Sequence, residues 1–163
     1  MPHATGAQTG SPIVRAHLGA PGPVSGSDEL NSRAIGNLVD NALKFSDPAG
    51  AIGVTTTVAD VTAVIQVRDD GIGMTTDQLS HAFERSWRAD DTRTTPGHGL
   101  GLALVQQIMN AHGGSVALDS QHGRGTTVTL RLPLRTRWHR RFELSHAHLI
   151  ALFIASNHGH ETT

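Results

Sequence analysis

The stretch NLVDNALKF (37–45) sets Asn37, Asn41 and Lys44 at intervals of four and three residues. On a helix this spacing brings the three side chains within an arc of about 60°. Asparagine is a mediocre helix former because its amide competes for nearby backbone groups, so two on one helical edge ask for a reason. An amide oxygen is a hard ligand of the kind a magnesium ion accepts while it keeps several waters and binds phosphates. A lysine one turn on supplies positive charge to phosphate oxygens. Taken alone, the pattern is more often a solvated face than a site.

Two further stretches give it weight. VRDDGIGM (67–74) ends a β-rich run in the carboxylates Asp69 and Asp70, followed at once by Gly71 and Gly73. Glycines there let a ligand approach the backbone where a Cβ would collide. A carboxylate in such a pocket accepts a hydrogen bond from the exocyclic amine of adenine and repels the carbonyl of guanine. PGHGLGLALVQQI (96–108) places Gly97, Gly99 and Gly101 ahead of and inside a helix start, where free N–H groups and the helix dipole favour an anion. It is neither a P-loop, since no G-K-[ST] follows, nor a dinucleotide fingerprint, since no βαβ unit surrounds it.

These residues need elements to hold them. Residues 13–18 alternate as a short strand, and 19–27 read as loop or weak hairpin. A helix is expected from Ser27 or Asp28, either an adequate N-cap, to about Phe45, stopping before Pro48. Its sheet-facing side is expected to be Ala34, Ile35, Leu38, Ala42 and Phe45, with Arg33 and Asp40 near the amide edge. The β-branched runs 51–60 and 61–70 meet at Asp60 as an antiparallel pair. Thr75 and Gln78 make a capping box for a short helix over 76–83. Residues 84–98 read as a loop, 99–114 as a helix closed by Gly113, and 115–120 and 126–132 as strands joined by the turn QHGRG. Five strands and two principal helices in this order predict an α/β two-layer sandwich: a mixed five-stranded sheet with its helices on one face.

Composition bounds the possibilities. The chain has 163 residues, a net charge of -1 and thirteen basic residues, of which Lys44 is the one lysine. That balance argues against a non-specific nucleic-acid binder. There are no cysteines, hence no disulfide or thiolate metal site. No apolar stretch is long enough to cross a bilayer, and the first residues show no signal-peptide pattern. A cytoplasmic protein is the expectation. Residues 1–12 read as a disordered leader, 13–134 as the catalytic unit and 135–163 as a basic, then apolar, tail.

The four motifs NLVDNALKF, DDGIG, FERSWRAD and GHGLGLALV, in this order and spacing, resemble the catalytic ATP-binding domain of two-component sensor histidine kinases. They match that family's N, G1, F and G2 boxes, and GRGTTVTLRLP resembles its closing strand. The resemblance covers about residues 13–134. It implies the Bergerat-type ATPase fold and ATP with Mg2+ as cofactors. It makes Asn41 the magnesium ligand, with Asn37 and Lys44 near the phosphates. Asp69 takes the adenine amine, Asp70 is variable and exposed, and Gly71 and Gly73 line the base pocket. Residues 74–98 form a lid with Phe83 as its anchor and Arg88 as a γ-phosphate contact. Gly99, Leu100 and Gly101 admit the phosphates, and either Thr126 or Thr127 helps hold the base. The catalytic set is then Asn37, Lys44 and Arg88.

The chain departs from that pattern in two places. Ser86 stands where the family usually has an aromatic, so the lid is expected to pack less firmly. Residues 1–30 do not read as the dimerising hairpin that carries the phosphoacceptor histidine, so that partner is expected on a separate domain, with a response regulator beyond it, and the chain is expected to be monomeric. His146 and His148 in ELSHAHL read as tail histidines, because the acidic and proline residues of a phosphoacceptor segment do not follow. The tail reads as an appended end; a membrane contact is expected only there. The leading expectation is γ-phosphoryl transfer from Mg-ATP to that histidine. The alternatives are an anti-sigma-factor-like serine kinase and a non-catalytic ATP-binding regulatory module.

Overall fold

The computed structural model describes residues 12–19, 22–85 and 101–135. Strand β1 (Ile13–Leu18) leads to helix α1 (Asp28–Phe45), then β2 (Ala51–Ala59) and β3 (Thr62–Asp69). The short α2 (Thr76–Ser80), α3 (Gly101–Ala111), β4 (Ser115–Gln121) and β5 (Gly125–Pro133) complete the order. The five strands form one sheet in the order β1-β2-β3-β5-β4. β1 runs parallel to β2, with α1 as the crossover between them, and the other pairs are antiparallel.

Local signals set the element ends. The Ser27 hydroxyl accepts from the Leu30 N–H, Asp28 and Glu29 occupy the first turn of α1, and Lys44 the last, each favourable to the helix dipole. Asp60 turns the β2–β3 hairpin with φ 54°, a conformation aspartate tolerates better than most residues. The capping box of Thr75 and Gln78 opens α2 as expected. That helix is shorter than its sequence suggests and ends at Ser80 instead of reaching residue 83. The Ser80 hydroxyl donates to the Asp77 carbonyl at 2.7 Å, offering the chain an alternative to the next helical bond. The backbone then tightens into turns, with Ala82 N–H donating to Leu79 O and Glu84 N–H to His81 O.

The core lies between one face of the sheet and the pair α1 and α3, which also pack on each other. From α1 come Ala34, Ile35, Leu38, Val39 and Ala42; from α3 come Val105, Ile108 and Met109. Phe45, expected on this face, is only half-buried. The strands contribute alternate residues, Ala63, Ile65 and Val67 from β3 against Leu132, Leu130 and Val128 from β5. Asp69 and Thr126 take the next step of that alternation on the same face and pair directly. Ser120 of β4 pairs with Thr126 in turn. At this end of the sheet, a polar row replaces the apolar ones.

The two principal helices are joined by a polar link. Asn31 is fully buried; its amide donates to Ser25 O at 3.2 Å, and its oxygen lies 2.8 Å from His112 Nδ1. Since the amide is the donor to Ser25, the oxygen must accept, which places the proton of a neutral His112 on Nδ1. His112 Nε2 then accepts from the Ser27 N–H at 3.4 Å. One imidazole ring, just past α3, thus holds the first turn of α1.

Candidate nucleotide site

Where the polar row meets the end of α1, the pieces come together. Asp69 is 8 % exposed. Its Oδ1 accepts from the Gly71 N–H at 2.9 Å, and the Thr126 N–H also donates to the carboxylate. Burial raises its pKa above the ordinary aspartate value, because desolvation penalises the charged form. The two N–H bonds pull the other way, and the nearby Asp70 carboxylate adds to the rise. Asp70 itself is exposed, as expected. Its Oδ1 nonetheless accepts from the Ala51 N–H at 2.9 Å and so fixes the start of β2.

The loop after β3 lies against α1. Ile72 N–H donates to Phe45 O at 3.2 Å. A Cβ on Gly71 would collide with that same carbonyl, and one on Gly73, whose φ is +62°, with the carbonyl of Gln121. Packing of the loop on its own chain therefore already demands glycine at both positions. The Lys44 ammonium lies 5.0 Å from the centre of the Phe45 ring, within cation–π range. Sequence reasoning placed Phe45 in the core; the structure sets it beside Gly71 instead. The signal available was its place one step past the amide edge, at the helix end.

Further back on α1, Asn41 faces the start of α3. A Cβ on Gly101 would come within 3.4 Å of the Asn41 amide nitrogen and 3.6 Å of its oxygen. Asn37, one turn earlier, is half-buried, and its Nδ2 is buried with no hydrogen-bond partner among the described residues. A native protein does not usually leave such a donor unused. Of the two threonines, Thr126 lies on the row with Asp69 and Ser120, whereas Thr127 pairs with Arg68 and Asp119 on the other face.

The remaining expected residues are less closely tied to this centre. Phe83 is half-buried in the turn after α2. Two residues on, Arg85 donates to the Gln107 side chain of α3 at 3.1 Å. Arg88, Gly97, Gly99 and Leu100 lie outside the described residues, as do Ser86 and the tail from residue 136. Among the described residues no cluster of three histidines or carboxylates is placed to hold a metal, and no helix is long and apolar enough to cross a membrane.

The stretch of chain that carries these residues matches a known family. The family model described as histidine kinase-, DNA gyrase B- and HSP90-like ATPase covers residues 27–136. The chain belongs to this ATPase family. Its relatives within the family include the sensor histidine kinase RppB of Synechocystis sp., 39% identical over 111 residues that make up 67% of this chain and 24% of the relative. The histidine-protein kinase/phosphatase MprB of Mycolicibacterium smegmatis is 40% identical over 68% of this chain and 23% of its own. The chain thus spans about a quarter of the length of these curated relatives. Among solved structures, a mycobacterial sensor histidine kinase MprB aligns with TM-score 0.60 and 31% identity, over 74% of this chain and 81% of that one. The ShkA kinase, solved with AMPPNP, aligns with TM-score 0.60 and 27% identity over 76% of this chain and 26% of its own. The ATPase domain here is therefore of the histidine-kinase type.

Proposed function

We propose that this chain binds Mg-ATP and transfers the γ-phosphoryl to a histidine on a phosphoacceptor domain, within a two-component signalling system. The observation that carries the reading is the buried Nδ2 of Asn37, without a partner among the described residues, one turn from an Asn41 amide that faces the first residue of α3. In this reading Asp69 and Thr126 hold the adenine amine, and the half-buried Phe45 ring offers the base a flat apolar surface. Asn37 and Lys44 address the phosphates, and Arg88, from the segment 86–100, reaches the γ-phosphate. Gly71, Gly73 and Phe83 shape the base side and the lid, while Gly99, Leu100 and Gly101 leave room for the triphosphate. Catalysis is positioning and charge stabilisation, as in other phosphoryl transfers.

The residues present suit magnesium in the manner such nucleotide sites use it. With no carboxylate cluster among the described residues, the ion would take one protein ligand, the Asn41 oxygen, and complete its shell with water and phosphate oxygens. Bound there, it would neutralise phosphate charge. Residues 13–134 are the unit we assign to this work, in the cytoplasm, with a response regulator downstream of the phosphoacceptor.

Calorimetric titration of the chain with ATP and GTP, with and without magnesium, is the first test. Magnesium-sensitive binding of ATP and not GTP supports the reading; a folded sample that binds neither sinks it. Phosphoryl transfer is then tested by adding a phosphoacceptor domain and labelled ATP. An acid-labile label on histidine is expected, and an acid-stable one would indicate a serine kinase.

A further inference from the structure

One hydroxyl in the polar row has more contacts than an ordinary surface serine. Ser120 Oγ accepts from the Met74 N–H at 2.9 Å, donates to the Gly125 carbonyl at 3.0 Å and lies 2.9 Å from Thr126 Oγ1. The direction of the last contact follows from counting protons. A serine hydroxyl has one proton and two lone pairs. Gly125 O can only accept, so it takes the proton. Met74 N–H can only donate, so it takes one lone pair. The contact to Thr126 must use the second, and the proton in it belongs to Thr126.

With its own proton committed to Ser120, the Thr126 oxygen has only lone pairs left to offer. Thr126 stands beside Asp69 in the same row, and the Asp69 carboxylate also accepts only. We propose that Ser120 is a positioning residue for base selection: it fixes Thr126 as an acceptor, so that this end of the pocket presents no donor to a carbonyl at C6 of a purine. A 6-amino purine finds two acceptors there. A 6-oxo purine finds lone pairs against lone pairs and no hydroxyl able to turn toward it. Through Met74, the same oxygen anchors the residue that leads out of the Gly71–Gly73 loop toward α2.

This inference rests on the adenine reading of Asp69, and the test separates the two. Affinities of the full chain for ATP and inosine triphosphate, which differ at C6, are measured with magnesium by calorimetry. Wild type is expected to prefer ATP. Ser120→Ala frees the Thr126 proton, and the preference should fall by about three- to tenfold, the range of one hydrogen bond. Ser120→Cys, which fills the space with a poor acceptor, should behave alike and serves if the alanine variant is unstable. In a Thr126→Val background, Ser120→Ala should change the preference no further, because its effect runs through Thr126. An unchanged preference in both Ser120 variants, or an equal fall with Thr126→Val already present, overturns the proposal. A wild type that binds both nucleotides alike, or neither, overturns the adenine reading itself.

Discussion

Asp69 is a carboxylate where the strand's alternation calls for an apolar residue, and its environment sets a measurable conflict. Its pKa is raised, chiefly by burial, so the folded state holds its proton more tightly than the unfolded state does. Stability contributed by this group is therefore fully present at pH below the ordinary value of 3.8 and falls as pH rises through the higher folded value. Accepting an amine needs the ionised form, so nucleotide affinity should move the opposite way and begin to weaken on acidification at a pH above 3.8. Asp69→Asn separates the two effects. It should keep or raise thermal stability at neutral pH, while the new amide nitrogen faces the base as a donor and ATP affinity drops at least about tenfold, read by calorimetry on both proteins. A variant that lost stability and kept binding would show that the carboxylate is structural.

At the scale of elements, two junctions decide how α1 and the root of α2 are held. The ring of His112 ties the end of α3 to the start of α1 through Asn31 and Ser27. His112→Ala leaves a fully buried amide oxygen without its donor, which should cost about 1–3 kcal/mol in a denaturant melt. Asn31→Leu combined with it should recover part of the loss, since the fully buried amide is then gone and the Ser25 carbonyl and Ser27 N–H it leaves behind are less buried and can turn to water. After α2, the half-exposed His81 pairs with Glu84 at 2.8 Å, and this hydrogen bond raises its pKa. The pair supports its turn fully below the unfolded value of 6.5 and releases it as pH rises through the folded one. An NMR titration should give His81 a midpoint above 6.5 that returns toward that value in Glu84→Gln.

At the scale of the molecule, one apolar layer among the described residues stabilises the sheet and both helices, and the nucleotide site proposed above lies at the end where that layer stops. Leu130 is fully buried at the centre of β5, and Leu130→Ala should cost about 2–5 kcal/mol. Ligand binding should work against such losses. At a hundredfold excess over its dissociation constant, ATP stabilises the native state by about 2.7 kcal/mol. The melting temperature should then rise with Mg-ATP in wild type and in Leu130→Ala alike, and by clearly less in Asp69→Asn. Equal shifts in all three proteins would place the nucleotide somewhere other than the polar row.

The sequence by itself determined what short-range physics controls. Ser27 and Thr75 as caps, the periodic face of α1 and the β-branched runs around Asp60 act over a few residues, and each marks its element within a residue or two. The motif spacing likewise carried the family. Where a local signal met competition, as at Ser80, the reading ran three residues too long. Tertiary structure alone decided the rest, because it depends on register between distant segments. Asp69, Thr126 and Ser120 share a row only once the apolar residues of β3, β5 and β4 align. A slip of one residue would put Thr127 there instead, since successive side chains point to opposite faces. His112 reaches Asn31 across 81 positions, and nothing near either residue announces the other. Even the direction inferred for the Thr126 proton depends on a neighbouring strand, through the Ser120 oxygen of β4 on which Met74 and Gly125 also meet.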